Sequence, residues 1–424
     1  MEEESIQEVD TNLEPQLILL AASHHDIESL RTLLRTGSAS VQDPETGFTP
    51  LHAAIAACDS ISQCSPVDQS GTSDHASADQ VNGHCNGITT IDATKSDIEA
   101  DVEAAAKIIR LLLQNGAIWN DVDKQNETPG CLALRLGLRQ LYDIMVDAGV
   151  RAEMLLNRLD EYEQLQDSDD HDEDSGAKPT DAPADSYTET GPNEETPIGT
   201  NLEQDLHNEN FLQSSLHFQN GRILDDSNNG VMMAWETDIM KRTADLLIPN
   251  RDLRILNIGH GMGIIDTFIQ EKSPSAHHII EAHPSIIERM RKDGWDTKPN
   301  VTIHEGRWQD VVPKLIEQGV MFDAIYYDTF AEDYKALRNL FSDYLIGLLD
   351  DGGKWGFFNG LGADRQICYD VYAKVVEMDL FEAGFDTNFE TITIPEMGDE
   401  QWEGVKRRYW ALKEYKLPIC EFIG

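Results

Sequence analysis

Two carboxylates stand where their neighbours could give them chemistry. Asp328 lies in Tyr326-Tyr327-Asp328-Thr329-Phe330. A carboxylate flanked by aromatic rings suits a cation, which it can hold through charge-assisted hydrogen bonds. The second, Glu281, follows the turn Gly259-His260-Gly261-Met262-Gly263 by 281 − 263 = 18 residues. Glycines let the backbone turn tightly against a ligand ahead of a helix, and an acid at this distance can accept from ribose hydroxyls. The turn alone is a weak signal and lacks the last glycine of a dinucleotide fingerprint, having Ile264 and Ile265 there. Asn257 stands two residues before the turn, at the end of the apolar run that leads into it. Arg307 and Trp308 could flank an adenine ring, although Trp308 could as well pack into the core. Asp328 taken singly could be a helix N-cap. His260 and His283 have no ligand-spaced partner, so they are read as turn or pocket-lining residues, and no metal is expected.

These residues need a scaffold that brings strand ends together. From about residue 215 short apolar runs alternate with helical stretches. Candidate strands are 253–259, 277–282, 300–306, 322–328, 353–359, 389–394 and 407–417, with helices such as MGIIDTFIQEK and HPSIIERMRKDG between the early ones. Strands joined by crossover helices predict an α/β fold with a parallel, doubly wound sheet, in which ligands sit at the C-terminal strand ends. The short GDEQWEGVK segment between the last two runs predicts a terminal antiparallel pair.

The first part of the chain repeats itself. A helix ending at glycine (26–37), a loop and FTPLHAAIAA at 48–57 recur as 104–117, a loop and ETPGCLALRLG at 127–137. Gly116 to Gly149 spans 149 − 116 = 33 residues, and Thr49 to Thr128 spans 128 − 49 = 79. The first is the period of an ankyrin repeat; the second is one period with an insertion, placed at 59–98 where the chain is polar and aperiodic. The expected organisation is a tail over 1–15, an all-α ankyrin-like region over 16–155, an acidic, Pro/Ser/Thr-rich linker over 156–205, and the α/β domain over 206–424. Stacked repeats of this kind usually bind a protein.

The formal net charge of −44 argues against nucleic-acid or anionic-membrane surfaces and is compatible with a basic partner. The acidic N-terminus has no signal-peptide pattern, and no apolar run is long enough for a membrane span. The six cysteines contain no C-x-x-C pair, so cytosolic thiols are expected.

Taken together, the segments resemble guanidinoacetate N-methyltransferase. Val231 to Thr237 is similar to that family's V-M-x-x-W-E-T, Asn257 to Met262 to its glycine loop, His278-Ile279-Ile280-Glu281 to W-I-I-E, Gly306 to Val311 to G-x-W-E-D-V, and Tyr327 to Phe330 to Y-D-T-Y. With the repeats and the acidic segment added, the whole chain resembles the fungal type IV protein arginine methyltransferases. The resemblance implies a seven-stranded class I (Rossmann-like) methyltransferase domain and S-adenosylmethionine as methyl donor. It also implies transfer to the delta nitrogen of an arginine in a ribosomal large-subunit protein. Glu236 and Asp328 are then the catalytic pair. Phe218, Met232, Met240, Gly259, His260, Gly261, Met262, Gly263, Ile264, Glu281, Ala282, His283, Arg307, Trp308 and Asp328 are expected around the donor. The expectations extend to a basic protein partner, no nucleic-acid or membrane contact, a monomer, and residence in cytoplasm and nucleus. The competing classes are a small-molecule guanidinoacetate enzyme, a nicotinamide oxidoreductase, and a repeat scaffold carrying an inactive methyltransferase domain.

Overall fold

The computed structural model describes residues 13–58, 91–166 and 208–424. The backbone separates into two compact units, Met1–Leu155 and Leu156–Gly424. Most of the expected 59–98 insertion, the start of the 1–15 tail, and the 167–205 part of the expected linker lie outside the described residues.

The described residues of the first unit are helical: α1 (Glu14–Ser23), α2 (Ile27–Leu33), α3 (Pro50–Ala56), α4 (Ile91–Gln114), α5 (Pro129–Arg135) and α6 (Arg139–Gln166). Thr49 and Thr128 start α3 and α5 in the same way, each with proline at the first turn and its hydroxyl accepting a backbone N–H. His52 is fully buried; its ring accepts from Thr49 N–H (3.2 Å) and reaches the Glu127 carbonyl (3.0 Å), in the turn before the next threonine. Burial lowers its pKa, in keeping with a neutral ring in that bridge. The turn at 43–47 lies on the turn at 123–127, where Lys124 N–H donates to the Thr46 carbonyl. The two copies are therefore direct neighbours in space, despite the 79-residue offset between their threonines. Two boundaries differ from expectation. Residues 91–98 begin α4 instead of ending a loop, and α6 continues to Gln166, well past residue 156.

The second unit opens with α7 (Asn208–Gln213) and a small antiparallel sheet of β1 (His217–Gln219), β2 (Arg222–Leu224) and β3 (Gly230–Met233). The main sheet contains β4 (Arg254–Ile258), β5 (Ala276–Glu281), β6 (Val301–Glu305), β7 (Phe322–Tyr327), β8 (Leu349–Phe357), β9 (Phe385–Thr393) and β10 (Glu414–Phe422), in the order β6-β5-β4-β7-β8-β10-β9. The first five in that order run parallel, and β10 is antiparallel to both β8 and β9. This is the seven-stranded class I methyltransferase arrangement. Helices α8 (Thr237–Leu247), α9 (Ile264–Glu271), α10 (Pro284–Lys292), α11 (Trp308–Glu317), α12 (Tyr334–Asn339) and α13 (Gln366–Glu382) complete the unit. One core cluster unites Met240, Ala244 and Leu247 of α8 with Ile265 and Ile269 of α9 and Ile255, Ala324 and Tyr326 of the sheet. The last strand begins at Glu414, so residues 407–413, expected in a strand, form part of the connection before it. The order switch beside β4 brings the ends of β4, β5 and β7 to one place, where the predicted residues converge.

Candidate active site

The β4 end is shaped by close backbone approach. Gly259 has φ +97°, and a Cβ there would lie 1.9 Å from the Asp328 carbonyl oxygen, because the chain leaving β7 crosses beside it. Asp328 N–H donates to the Ile258 carbonyl and Gly259 N–H to that of Ile280, at 2.9 Å each, tying the three strand ends together. Beneath the turn, buried Asp266 accepts from Asn257 Nδ2 (2.8 and 2.9 Å) and pairs with His260 Nδ1 (2.7 Å) and His277 Nε2 (2.9 Å). Burial would raise that carboxyl, but its histidine partners outweigh this and hold it well below the usual carboxylate range. Asn257 thus serves as an amide donor that fixes an acid from the following helix.

Glu281 ends β5. One oxygen accepts from His260 N–H (2.9 Å) and more weakly from Gly261 N–H (3.4 Å); the other accepts from Ala282 and His283 N–H (2.8 Å each). The carboxylate is locked by backbone amides, with lone pairs remaining for a diol. It faces a cleft of about 630 Å³ whose lining includes Gly259, Gly261, Ala282, Ile286, Arg307 and Trp308. Trp308 also packs edge-on to Tyr327 and sends its Nε1–H to Glu332 (3.0 Å), so it joins the wall and the core.

Not every predicted donor residue reaches this cleft. Met232 lines it and receives Met262 N–H at its sulfur (3.2 Å). Met240 is fully buried under the sheet, Met262 and Ile264 pack against the same core, and Gly263 caps α9 in a left-handed conformation. His260 is engaged below the turn, and His283 caps α10. Phe218 lies outside the lining: its ring packs with Leu216, Val301 and Ile303, and the Arg289 guanidinium stacks on it at 4.9 Å. Phe211, from α7, takes the covering position, 4.9 Å from the His283 ring and 4.8 Å from that of Phe330. Phe218, expected around the donor, is thus not in the cleft lining, whereas Phe211 is. Both are aromatic residues near the start of the unit, and sequence gives no signal for which one folds back.

A second, wider cleft shares Asp328 with the first and also reaches Glu236, Phe358, Leu361 and Tyr409. Glu236 ends the single turn Ala234–Glu236 that carries β3 into α8. It is 4% exposed; one oxygen accepts from Met233 N–H (3.3 Å) and from the Tyr409 hydroxyl. Asp328 Oδ2 is buried without a hydrogen-bond partner among the described residues. Burial, then repulsion from Asp328, pushes the Glu236 carboxyl up to about 8, and burial pushes Asp328 up to about 7. Two neighbouring carboxyls with one oxygen unused are chemically suited to a cation bearing N–H groups. Glu332, unremarked in the sequence, accepts from Tyr327, Thr329, Trp308 and Gln309 and fixes the loop between the clefts.

A family model for guanidinoacetate N-methyltransferase matches residues 213–403. Protein arginine N-methyltransferase 2 of Emericella nidulans is 52% identical, with 99% of each chain covered. The chain belongs to the protein arginine N-methyltransferase 2 family. The Aspergillus oryzae protein of that name is 51% identical (98% of each chain), and that of Neurospora crassa 43% (97% of this chain, 96% of the other). This methyltransferase takes S-adenosylmethionine as donor, and the cleft fits it: a fixed carboxylate for the ribose diol, glycines at the turn, and apolar walls from Ile258, Ile280 and Ile286.

Proposed function

We propose that the enzyme methylates the delta nitrogen of an arginine in a basic protein, a ribosomal large-subunit protein being the expected substrate. The observation that carries this reading is that the two clefts share Asp328, which has a buried oxygen without a hydrogen-bond partner and is close enough to repel the buried carboxyl of Glu236. Bound S-adenosylmethionine supplies an electrophilic methyl group, and the Glu281 cleft holds it. Methyl transfer is a displacement, so the protein's tasks are alignment and exposure of a lone pair. A guanidinium delocalises its lone pairs and holds its protons with a pKa above about 12. Glu236 and Asp328, each giving one oxygen to a terminal N–H, draw the positive charge towards those nitrogens. The internal nitrogen, which carries the side chain, is then left with the most localised lone pair. Asp328 is the better-placed proton acceptor, because one of its oxygens has no competing donor.

The helical first unit supports a protein acceptor. We read its paired helices as ankyrin-type repeats, on the shared threonine caps, the His52 bridge and the stacked turns. With this go a basic partner, no nucleic-acid or membrane contact, a monomer, and residence in cytoplasm and nucleus. A small-molecule guanidinoacetate enzyme is the second reading, favoured by the family match over 213–403.

Labelled donor offered with ribosomal proteins, basic cell extract and guanidinoacetate in parallel separates the two. Recovery of delta-methylarginine after hydrolysis supports the proposal. Label confined to guanidinoacetate overturns it, and label on a terminal arginine nitrogen overturns the delta assignment alone.

A further inference from the structure

Residues 394–413, between β9 and β10, fold over the acceptor side of the unit. The Arg222 guanidinium donates to the Glu403 carbonyl (2.7 Å) and Lys406 N–H to that of Asn228 (2.8 Å), strapping this connection to the β1–β3 sheet. Trp402 and Trp410 are buried in a cluster with Met233 and Tyr415, and Trp235 and Tyr409 pack on it. Tyr409 is confined on several sides. Its ring lies 5.2 Å from that of Trp402 and 6.0 Å from that of Trp235, and Gly230 is so close that a Cβ there would lie 2.9 Å from Cε1. The Tyr409 hydroxyl accepts from Trp235 Nε1 (3.1 Å) and donates to Glu236 Oε1. The indole has no acceptor nitrogen, so it fixes the direction of the hydroxyl proton towards the carboxylate.

We propose that Tyr409 is a positioning residue: it occupies Glu236 Oε1, with Met233 N–H, so that Oε2 alone is presented to the acceptor. This rests on the reading of Glu236 and Asp328 as the guanidinium receptor. With one oxygen from each acid, the cation is bridged between two single contacts and is not gripped as a fork by one carboxylate. The groups bearing on Glu236 are Asp328 at the end of β7, Tyr326 within it, Tyr409 from the connection and Tyr415 of β10. Burial and Asp328 raise the Glu236 carboxyl; the bond from Tyr409 works against them and favours the ionised form. Tyr409 therefore both aims the acid and keeps more of it charged when a cation arrives.

The test is Tyr409→Phe in the full chain, with donor affinity and the pH profile of kcat/KM for an arginine-containing acceptor measured together. Removing a donor to the carboxylate raises its pKa, so the acidic limb should move up by about one pH unit and the acceptor KM should rise about tenfold, with donor Kd within about twofold. Trp235→Phe, which removes only the N–H behind the hydroxyl, should move the limb the same way by less. It decides the matter if Tyr409→Phe fails to bind donor. An unmoved limb and an unchanged acceptor KM, in whichever of the two variants binds donor normally, overturn the proposal. Glu236→Gln separates this from failure of the receptor reading: normal turnover in that variant removes the receptor itself, whereas lost turnover beside an unmoved Tyr409→Phe limb removes only the positioning role.

Discussion

Glu236 and Asp328 are two acids held in a site that resists ionising both, and the conflict has measurable consequences. Their folded pKa values, about 8 and about 7, lie above the ordinary 4.5 and 3.8. A carboxyl raised on folding contributes stability below its unfolded pKa and loses it as pH rises through the folded value. The acceptor-free protein should therefore lose stability between about pH 4 and 8, and Glu236→Gln should flatten part of that fall in a pH series of thermal midpoints. On the proposed mechanism catalysis runs the other way: the ionised pair would be the competent form, so kcat/KM should climb through pH 7 to 8. Glu236→Gln and Asp328→Asn should each lower turnover by about 10²- to 10⁴-fold with donor binding retained; donor titration beside single-turnover kinetics checks this, and unchanged turnover in both would refute the pair. Asp328 was legible from its aromatic neighbours at a strand end, and Glu236 only through the resemblance of its Trp235-Glu236-Thr237 segment. Tyr409 was not, since 173 residues separate it from Glu236 and only the folded connection joins them. Phe211 and Glu332 escaped for another reason, since their contacts depend on which way a loop turns.

At the scale of elements, the strand ends depend on backbone crowding more than on side-chain chemistry. Gly259 combines a φ of +97° with contact to the Asp328 carbonyl, so Gly259→Ala is penalised by both strain and collision. A loss of more than about 3 kcal/mol is expected in denaturant unfolding, together with loss of donor binding; a variant of normal stability would refute the crossing of the two strand ends. Asp266 offers a second check beneath the same turn. Asp266→Ala leaves Asn257, His260 and His277 without their shared acceptor and should cost about 3–5 kcal/mol. Its folded pKa is depressed, so the native carboxylate contributes stability above the unfolded value, and that contribution is lost as pH falls towards the folded one. The central parallel strands β4, β5 and β7 were readable because each carries a mostly buried apolar run between turn signals, while β6 lies half-exposed at the sheet edge. β1 to β3 were not, being three or four residues long and paired mainly with one another. The run at 407–413 has the aromatic content of a strand, but Tyr409 bonds Glu236 and Trp410 packs on Tyr369 and Tyr415, and the ladder of the last strand starts only at Glu414.

The whole molecule joins two units, each with a buried core of its own. The first includes Ile18, Leu30, Leu51 and Ile109, all fully buried, and the second closes its sheet around Leu256, Ile325 and Trp355. All the residues assigned to donor and acceptor lie in the second unit, so the chemistry and the choice of protein are separable in principle. A chain beginning at residue 200 should unfold cooperatively and bind donor as the full chain does. Its kcat/KM for a short arginine peptide should be within about threefold of the full chain's, while its KM for an intact basic protein should rise by tenfold or more. The formal charge of −44 adds a control, since attraction to a basic protein weakens as the screening length shrinks from about 10 Å at 0.1 M salt. If the first unit contributes packed contacts, its advantage persists at high salt, and the ratio of the two KM values stays above one. If it contributes charge alone, the ratio collapses as salt increases. Equal KM values for the intact protein at every ionic strength would assign substrate choice to the second unit and leave the first without a part in it.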